Sequence, residues 1–106
     1  MADRPFEVRF TPLAYEDLGE IWSYIAEKLS SPQAAASLMN DIEEATAKLE
    51  QFPYLGGEAQ DVYLASKGYR RLVVQNYLIF YLVDDANSRV IIMRVVYGAR
   101  EYRDIL

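Results

Sequence analysis

Phe6-Glu7-Val8-Arg9-Phe10 alternates apolar and charged positions, the period of a half-buried strand. Thr11-Pro12 follows with an N-cap hydroxyl and a proline suited to the first helical position. Ala14, Leu18, Ile21, Trp22, Ile25 and Leu29 then recur at helical spacing, which predicts one apolar stripe with Trp22 in the core. Glu16 and Asp17 near the start suit the positive end of the helix dipole. Ser30-Ser31-Pro32 repeats the cap-and-proline signal. Ala35, Leu38, Met39, Ile42, Ala45, Leu49 and Phe52 line one face of a second helix, which Pro53 and Gly56-Gly57 end. The short link between the two helices predicts antiparallel packing.

A loop over 54–68 follows, with a short extended piece expected at Val62-Tyr63-Leu64. Tyr69 to Val74 reads as a strand, Gln75-Asn76 as a tight hairpin turn, and Tyr77 to Asp84 as a strand apolar on both faces. A strand of that kind lies centrally or is covered on both sides. Asp84-Asp85-Ala86-Asn87-Ser88 is a turn cluster, and Arg89 to Tyr97 is a third strand that Gly98 breaks. Ala99 to Leu106 is left as a tail or short helix. The pattern predicts an α+β fold in a single domain over 1–106. An N-terminal strand and an antiparallel helical hairpin precede a three-stranded antiparallel meander, all in one sheet.

Composition narrows the chemistry. The chain has no cysteine and no histidine, which removes disulfides, thiolate metal sites, the commonest metal ligand and the usual neutral-pH acid or base. No cofactor and no metal are expected. No run of 18 apolar residues occurs, so no membrane helix is expected. The start lacks a basic segment followed by an apolar one, which makes the cytoplasm the expected location. The net charge of −5 is unevenly spread. Residues 12–52 carry eight acids against two lysines, whereas residues 62–106 carry seven bases against four acids. An acidic face and a basic face follow. With a pI near 4.6, binding driven by a nucleic-acid backbone is disfavoured, since that wants a basic surface.

A set of short motifs now stands in order along the chain: Val8-Arg9-Phe10-Thr11-Pro12-Leu13-Ala14, Asp17-Leu18, Ile21-Trp22-Ser23-Tyr24-Ile25, Leu49, Pro53 and Gly56. Gly68-Tyr69-Arg70-Arg71-Leu72, Asn76-Tyr77-Leu78-Ile79-Phe80-Tyr81, Val95-Val96-Tyr97-Gly98-Ala99-Arg100 and Tyr102 complete it. The ordered set resembles the RelE/ParE superfamily of bacterial toxins from type II toxin–antitoxin pairs. The resemblance covers nearly the whole chain. It implies a toxin of an addiction or plasmid-stabilisation module, neutralised by a cognate antitoxin protein that adds a strand or helix to its surface. The antitoxin is expected over the Arg71/Arg100 region or on the helical hairpin. ParE-like members poison DNA gyrase, and RelE-like members cleave mRNA in the ribosomal A site. Both targets stay open at this point, as do an inactive antitoxin-binding member and a homodimer.

Cleavage of RNA through its 2′-hydroxyl needs a base, cations on the phosphate and an acid for the leaving oxygen. If the chain is an enzyme, the resemblance implies a metal-independent mRNA endonuclease. Arg71 on the second strand and Arg100 after the last match family basic positions, and a guanidinium can clamp a phosphate bidentately. Two positions depart from the nuclease pattern. Leu78 stands where an arginine would bind the scissile phosphate, and Tyr97 stands where many relatives carry histidine. Tyr97 or Tyr102 would need a lowered pKa to act as a base, and Glu101 is a carboxylate in the same region. The candidate catalytic set is Arg71, Arg100 and Tyr97. Arg94, between apolar neighbours, is read as a sheet-facing ion-pair partner, and one of Arg70 and Arg71, which point to opposite faces of a strand, as a partner for a helix glutamate.

Overall fold

In the computed structural model, residues 4–100, 102, 105 and 106 are described. Strand β1 (Glu7–Phe10) leads into helix α1 (Pro12–Ser23), which runs on through a π-helical turn, Tyr24–Lys28. Helix α2 (Pro32–Ala47) returns antiparallel and tightens into a 3₁₀ turn, Lys48–Glu50. The remaining elements are β2 (Gly57–Glu58), α3 (Val62–Ser66), β3 (Arg70–Val74), β4 (Tyr77–Asp84) and β5 (Arg89–Tyr97). The sheet order is β1-β5-β4-β3-β2.

The predicted meander β3-β4-β5 forms as expected, and the N-terminal strand joins it in parallel to β5, Glu7 opposite Arg89 through Phe10 opposite Ile92. The helical hairpin is the crossover that a parallel pairing requires. Two local expectations are corrected. Val62–Leu64 is not extended but opens α3, because the Asp61 carboxylate accepts from the Leu64 amide at 3.1 Å as an N-cap. The short strand β2, two residues opposite Arg70 and Arg71, has no alternating run to announce it.

β4 is central and is covered on both faces, as its apolar run demands. One face, carrying Ile79 and Tyr81 of β4 with Val90, Ile92 and Val95 of β5, packs against Ala14, Leu38 and Ile42 of the hairpin. The other, carrying Leu78, Phe80 and Val96, is covered by Leu64 of α3 and by Tyr102, Ile105 and Leu106. Each fully buried Phe, Ile or Leu of this kind stabilises by about 1.5–3 kcal/mol. Trp22 departs from its expected place in the core. It is 39% exposed, because one residue beyond half-buried Ile21 the helix has turned about 100° away from the sheet. Phe52 and Leu29, also on the predicted stripes, are 62% and 55% exposed.

Gly56 shows why one loop residue must be glycine. A Cβ there would lie 2.3 Å from the Arg71 carbonyl oxygen and 2.9 Å from the Tyr81 hydroxyl. The Gly56 amide donates to that buried hydroxyl at 2.9 Å. Among the described residues neither Arg71 nor Arg70 pairs with a helix glutamate, and Arg70 has other partners. Its guanidinium donates to the carbonyls of Gly56 (2.8 Å) and Tyr54 (3.2 Å) and lies over the Tyr54 ring, so it ties the loop to β3.

Candidate functional site

Polar chemistry on the sheet is arranged around the second half of β5. Beyond Ile92, β1 no longer pairs with β5, and a bulge leaves Met93 without a partner on β4: Tyr81 faces Ile92 and Phe80 faces Arg94. Helix α1 meets the strand there. The Thr11 hydroxyl donates to the Met93 carbonyl and accepts from the Ala14 amide, both at 3.0 Å, so one side chain caps the helix and ties it to the sheet. One helical turn on, the buried Asp17 carboxylate accepts from Arg94 Nε and Nη2, both at 2.8 Å, and from the Val95 amide at 2.9 Å. Arg94 also donates to the Ile105 carbonyl at 3.2 Å. Its pKa is raised, first by the hydrogen bond to Asp17, with Glu20 and Glu16 adding through charge. The ion pair read for Arg94 is thus present, and it is a structural clamp.

Past this clamp a cleft of about 640 Å³ opens between α1 with its π turn and the ends of β4 and β5. Ile21, Tyr24, Ile25 and Leu29 form the helical wall. Tyr77, Tyr97, Arg100 and the Gln75-Asn76 turn form the other. Tyr77 and Tyr97 are cross-strand neighbours with rings meeting edge-on at 5.6 Å. The π turn carries a bond from Leu29 N to the Tyr24 carbonyl five residues back, and Ser31 N then closes the end on the Ile25 carbonyl. It widens the helix as it passes the cleft, and such turns recur at functional sites.

The candidate residues separate. Tyr97 and Arg100 line this cleft together. Arg100 is exposed, and among the described residues its side chain makes no hydrogen bond or ion pair. Arg71 faces Phe80 across β3 and β4, on the sheet face opposite Tyr77 and Tyr97, and does not line the cleft. Leu78, where the resemblance to the nucleases expects an arginine, is buried in the same face as Phe80. Tyr102 packs on Phe80 with ring centroids 4.8 Å apart. Glu101 lies outside the described residues.

The cleft therefore offers one guanidinium, three phenols and the Glu20 carboxylate over an apolar floor. Burial, and then the neighbouring Tyr97 and Tyr24, push the Tyr77 phenol up, away from the value a base at neutral pH needs. Phenols and a guanidinium in a part-apolar cleft suit recognition of a polypeptide surface. Glu20, Tyr24 and the Gln75-Asn76 turn were missed as site residues in the sequence. Their one signal was a tyrosine lying off the apolar stripe of α1.

Comparison with known proteins agrees with this architecture. The chain superposes on the chromosomal ParDE toxin–antitoxin system of P. aeruginosa with a TM-score of 0.71 at 22% identity, covering 87% of this chain and 95% of that one. The toxin–antitoxin complex RelBE2 of Mycobacterium tuberculosis gives 0.64 at 27% identity, with 93% and 98% covered. The archaeal RelE–RelB complex of Pyrococcus horikoshii OT3 gives 0.59 at 14% identity, with 92% and 99% covered. No curated protein matches the sequence. The family model of the ParE toxin of type II toxin–antitoxin systems matches residues 8–102, and the chain belongs to that family.

Proposed function

We propose that this chain is a toxin that arrests growth in the cytoplasm by binding DNA gyrase, and that a cognate antitoxin holds it inactive. The observation that carries the choice of target is the separation of the two matched arginines. A nuclease of the RelE kind needs its cations around one phosphate. Here Arg71 and Arg100 lie on opposite faces of the sheet, and buried Leu78 replaces the third cation. Family membership and the acidic surface point the same way, toward a protein target contacted through Arg100 and Tyr97.

The test is expression without antitoxin, followed by assay of the purified chain. Growth arrest is expected, and purified gyrase should accumulate cleaved-DNA complexes. Arg100→Ala should weaken both at least tenfold, with the circular dichroism spectrum unchanged. Ribosome-dependent mRNA cleavage that Arg71→Ala and Arg100→Ala each abolish would overturn the gyrase reading in favour of the nuclease.

A further inference from the structure

The outer side of α1 carries charge that the target contact does not use. Glu16, Glu20 and Glu27 share a shallow depression with Gly19, Ser23 and Tyr24, and Lys28 is the base among its lining residues. None of the three glutamates makes an ion pair among the described residues. Glu16 and Glu20 act on Arg94 through charge, but Asp17 already holds that guanidinium. Glu20 and Tyr24 line both this depression and the cleft, so the two adjoin, and together they are called the trough. The trough has an acidic lip on α1, an apolar floor, and Arg100 on the far wall. Tyr24, Leu29 and Tyr97, which line the cleft, are 53%, 55% and 50% exposed.

We infer that this trough seats a cationic amphipathic segment of the antitoxin. Its apolar face lies on Ile21, Ile25, Leu29 and Tyr97, with lysine or arginine along the edge that meets Glu16, Glu20 and Glu27, and an acidic residue opposite Arg100. The inference rests on the toxin reading for the existence of the partner, and adds where it sits and what chemistry it carries. Charge complementarity selects the occupant. An acidic segment or a nucleic-acid backbone would bring like charge against the lip of a chain whose net charge is already −5. A second copy docked by a two-fold axis through the trough would set the same glutamates against each other. A basic edge is instead drawn in at long range, an attraction that salt screens.

The probe is the protein encoded by the reading frame adjoining this gene, with association to the purified chain followed by stopped flow at several salt concentrations. For the unaltered chain, the association rate is expected to fall as salt rises. Glu16→Lys/Glu20→Lys/Glu27→Lys, all exposed along α1 and its π turn, should slow association at low salt at least tenfold and remove that salt dependence. Leu29→Glu, in the apolar helical wall, should instead speed dissociation at least tenfold. Circular dichroism checks that each variant keeps its helices. A triple variant that associates at the unaltered rate with the same salt slope overturns this inference and spares the toxin reading. So does an unaltered chain whose association quickens with salt, since its partner segment is then acidic. Absence of any binding by the unaltered chain overturns the antitoxin reading and this inference with it.

Discussion

Arg94 inside β5 and Arg100 just beyond its end are the same side chain in opposite circumstances. Arg94 is held by a bidentate carboxylate and a carbonyl, with 14% of its side chain exposed. Arg100 faces an open cleft and makes no side-chain hydrogen bond among the described residues. The difference comes from what α1 presents along the strand. Where the helix starts, Thr11 and Asp17 close the edge that β1 has left. Where it ends in the π turn, it presents Tyr24, Ile25 and Leu29 and leaves the edge uncovered. A charge whose bonds are all made serves the fold, and a charge left without partners beside apolar surface is available for binding.

The largest effect should come from cutting the locked end. Asp17→Ala leaves a partly buried guanidinium and the buried Val95 amide without their acceptor, and is expected to cost about 3–5 kcal/mol in urea unfolding. Natural domains are stable by only about 5–15 kcal/mol, so that loss is a large share of the total. Asp17→Leu combined with Arg94→Met should recover much of that loss, because an apolar pair of similar volume avoids the desolvation of both charges. A single variant within about 0.5 kcal/mol of the unaltered chain would mean that Arg94 is no more locked than Arg100.

Thr11→Ala tests the same end more gently. It removes an N-cap and the bond to the Met93 carbonyl, and should cost about 1–2 kcal/mol by the same measurement. Because the helix stays docked through Asp17, growth arrest should persist at 25 °C and weaken only on warming. If the variant instead loses arrest at full stability, Thr11 belongs to the functional end, and the division between the two ends of α1 is misplaced.

How far these two ends were legible depends on how local their cause is. The Thr11 cap, the helix starts at Pro12 and Pro32 and the meander are set by neighbours in sequence and appear where the pattern puts them, whereas Ser31 makes no side-chain cap bond and the stripes lose Trp22, Leu29 and Phe52 to the surface. Arg94 could be read as an ion-pair partner from its apolar neighbours. Its partner could not be read, since Glu16, Asp17 and Glu20 are equally acidic, and the choice depends on which one α1 turns toward the Val95 amide. The separation of Arg71 from Arg100 was equally hidden. Strand alternation assigns faces only once the register is known, and the bulge at Met93 shifts the faces of β5 by one residue partway along. The cleft joins the end of α1, the β3–β4 turn and the end of β5, three segments that only the tertiary fold brings together.

The smallest expected effect lies at the open end and is read through pH. Tyr77 is half-buried in the cleft, and burial, then Tyr97 and Tyr24, raise its phenol above the ordinary value of 10.0. A group whose pKa is higher in the folded than in the unfolded chain contributes stability that is fully present below the unfolded value. That contribution is lost as pH rises through the folded value. Tyr77→Phe should therefore match the unaltered chain at neutral pH to within about 0.5 kcal/mol and fall less steeply in stability above pH about 10. Unfolding midpoints of the two chains across the alkaline range measure the difference. The opposite charge at the locked end gives the contrast: Asp17 holds the Arg94 proton by a direct bond, whereas the Tyr77 proton is kept by loss of water and the proximity of two other phenols. Parallel alkaline curves for Tyr77→Phe and the unaltered chain would place Tyr77 in water like an ordinary surface phenol, and the cleft would then be open to solvent down to its floor.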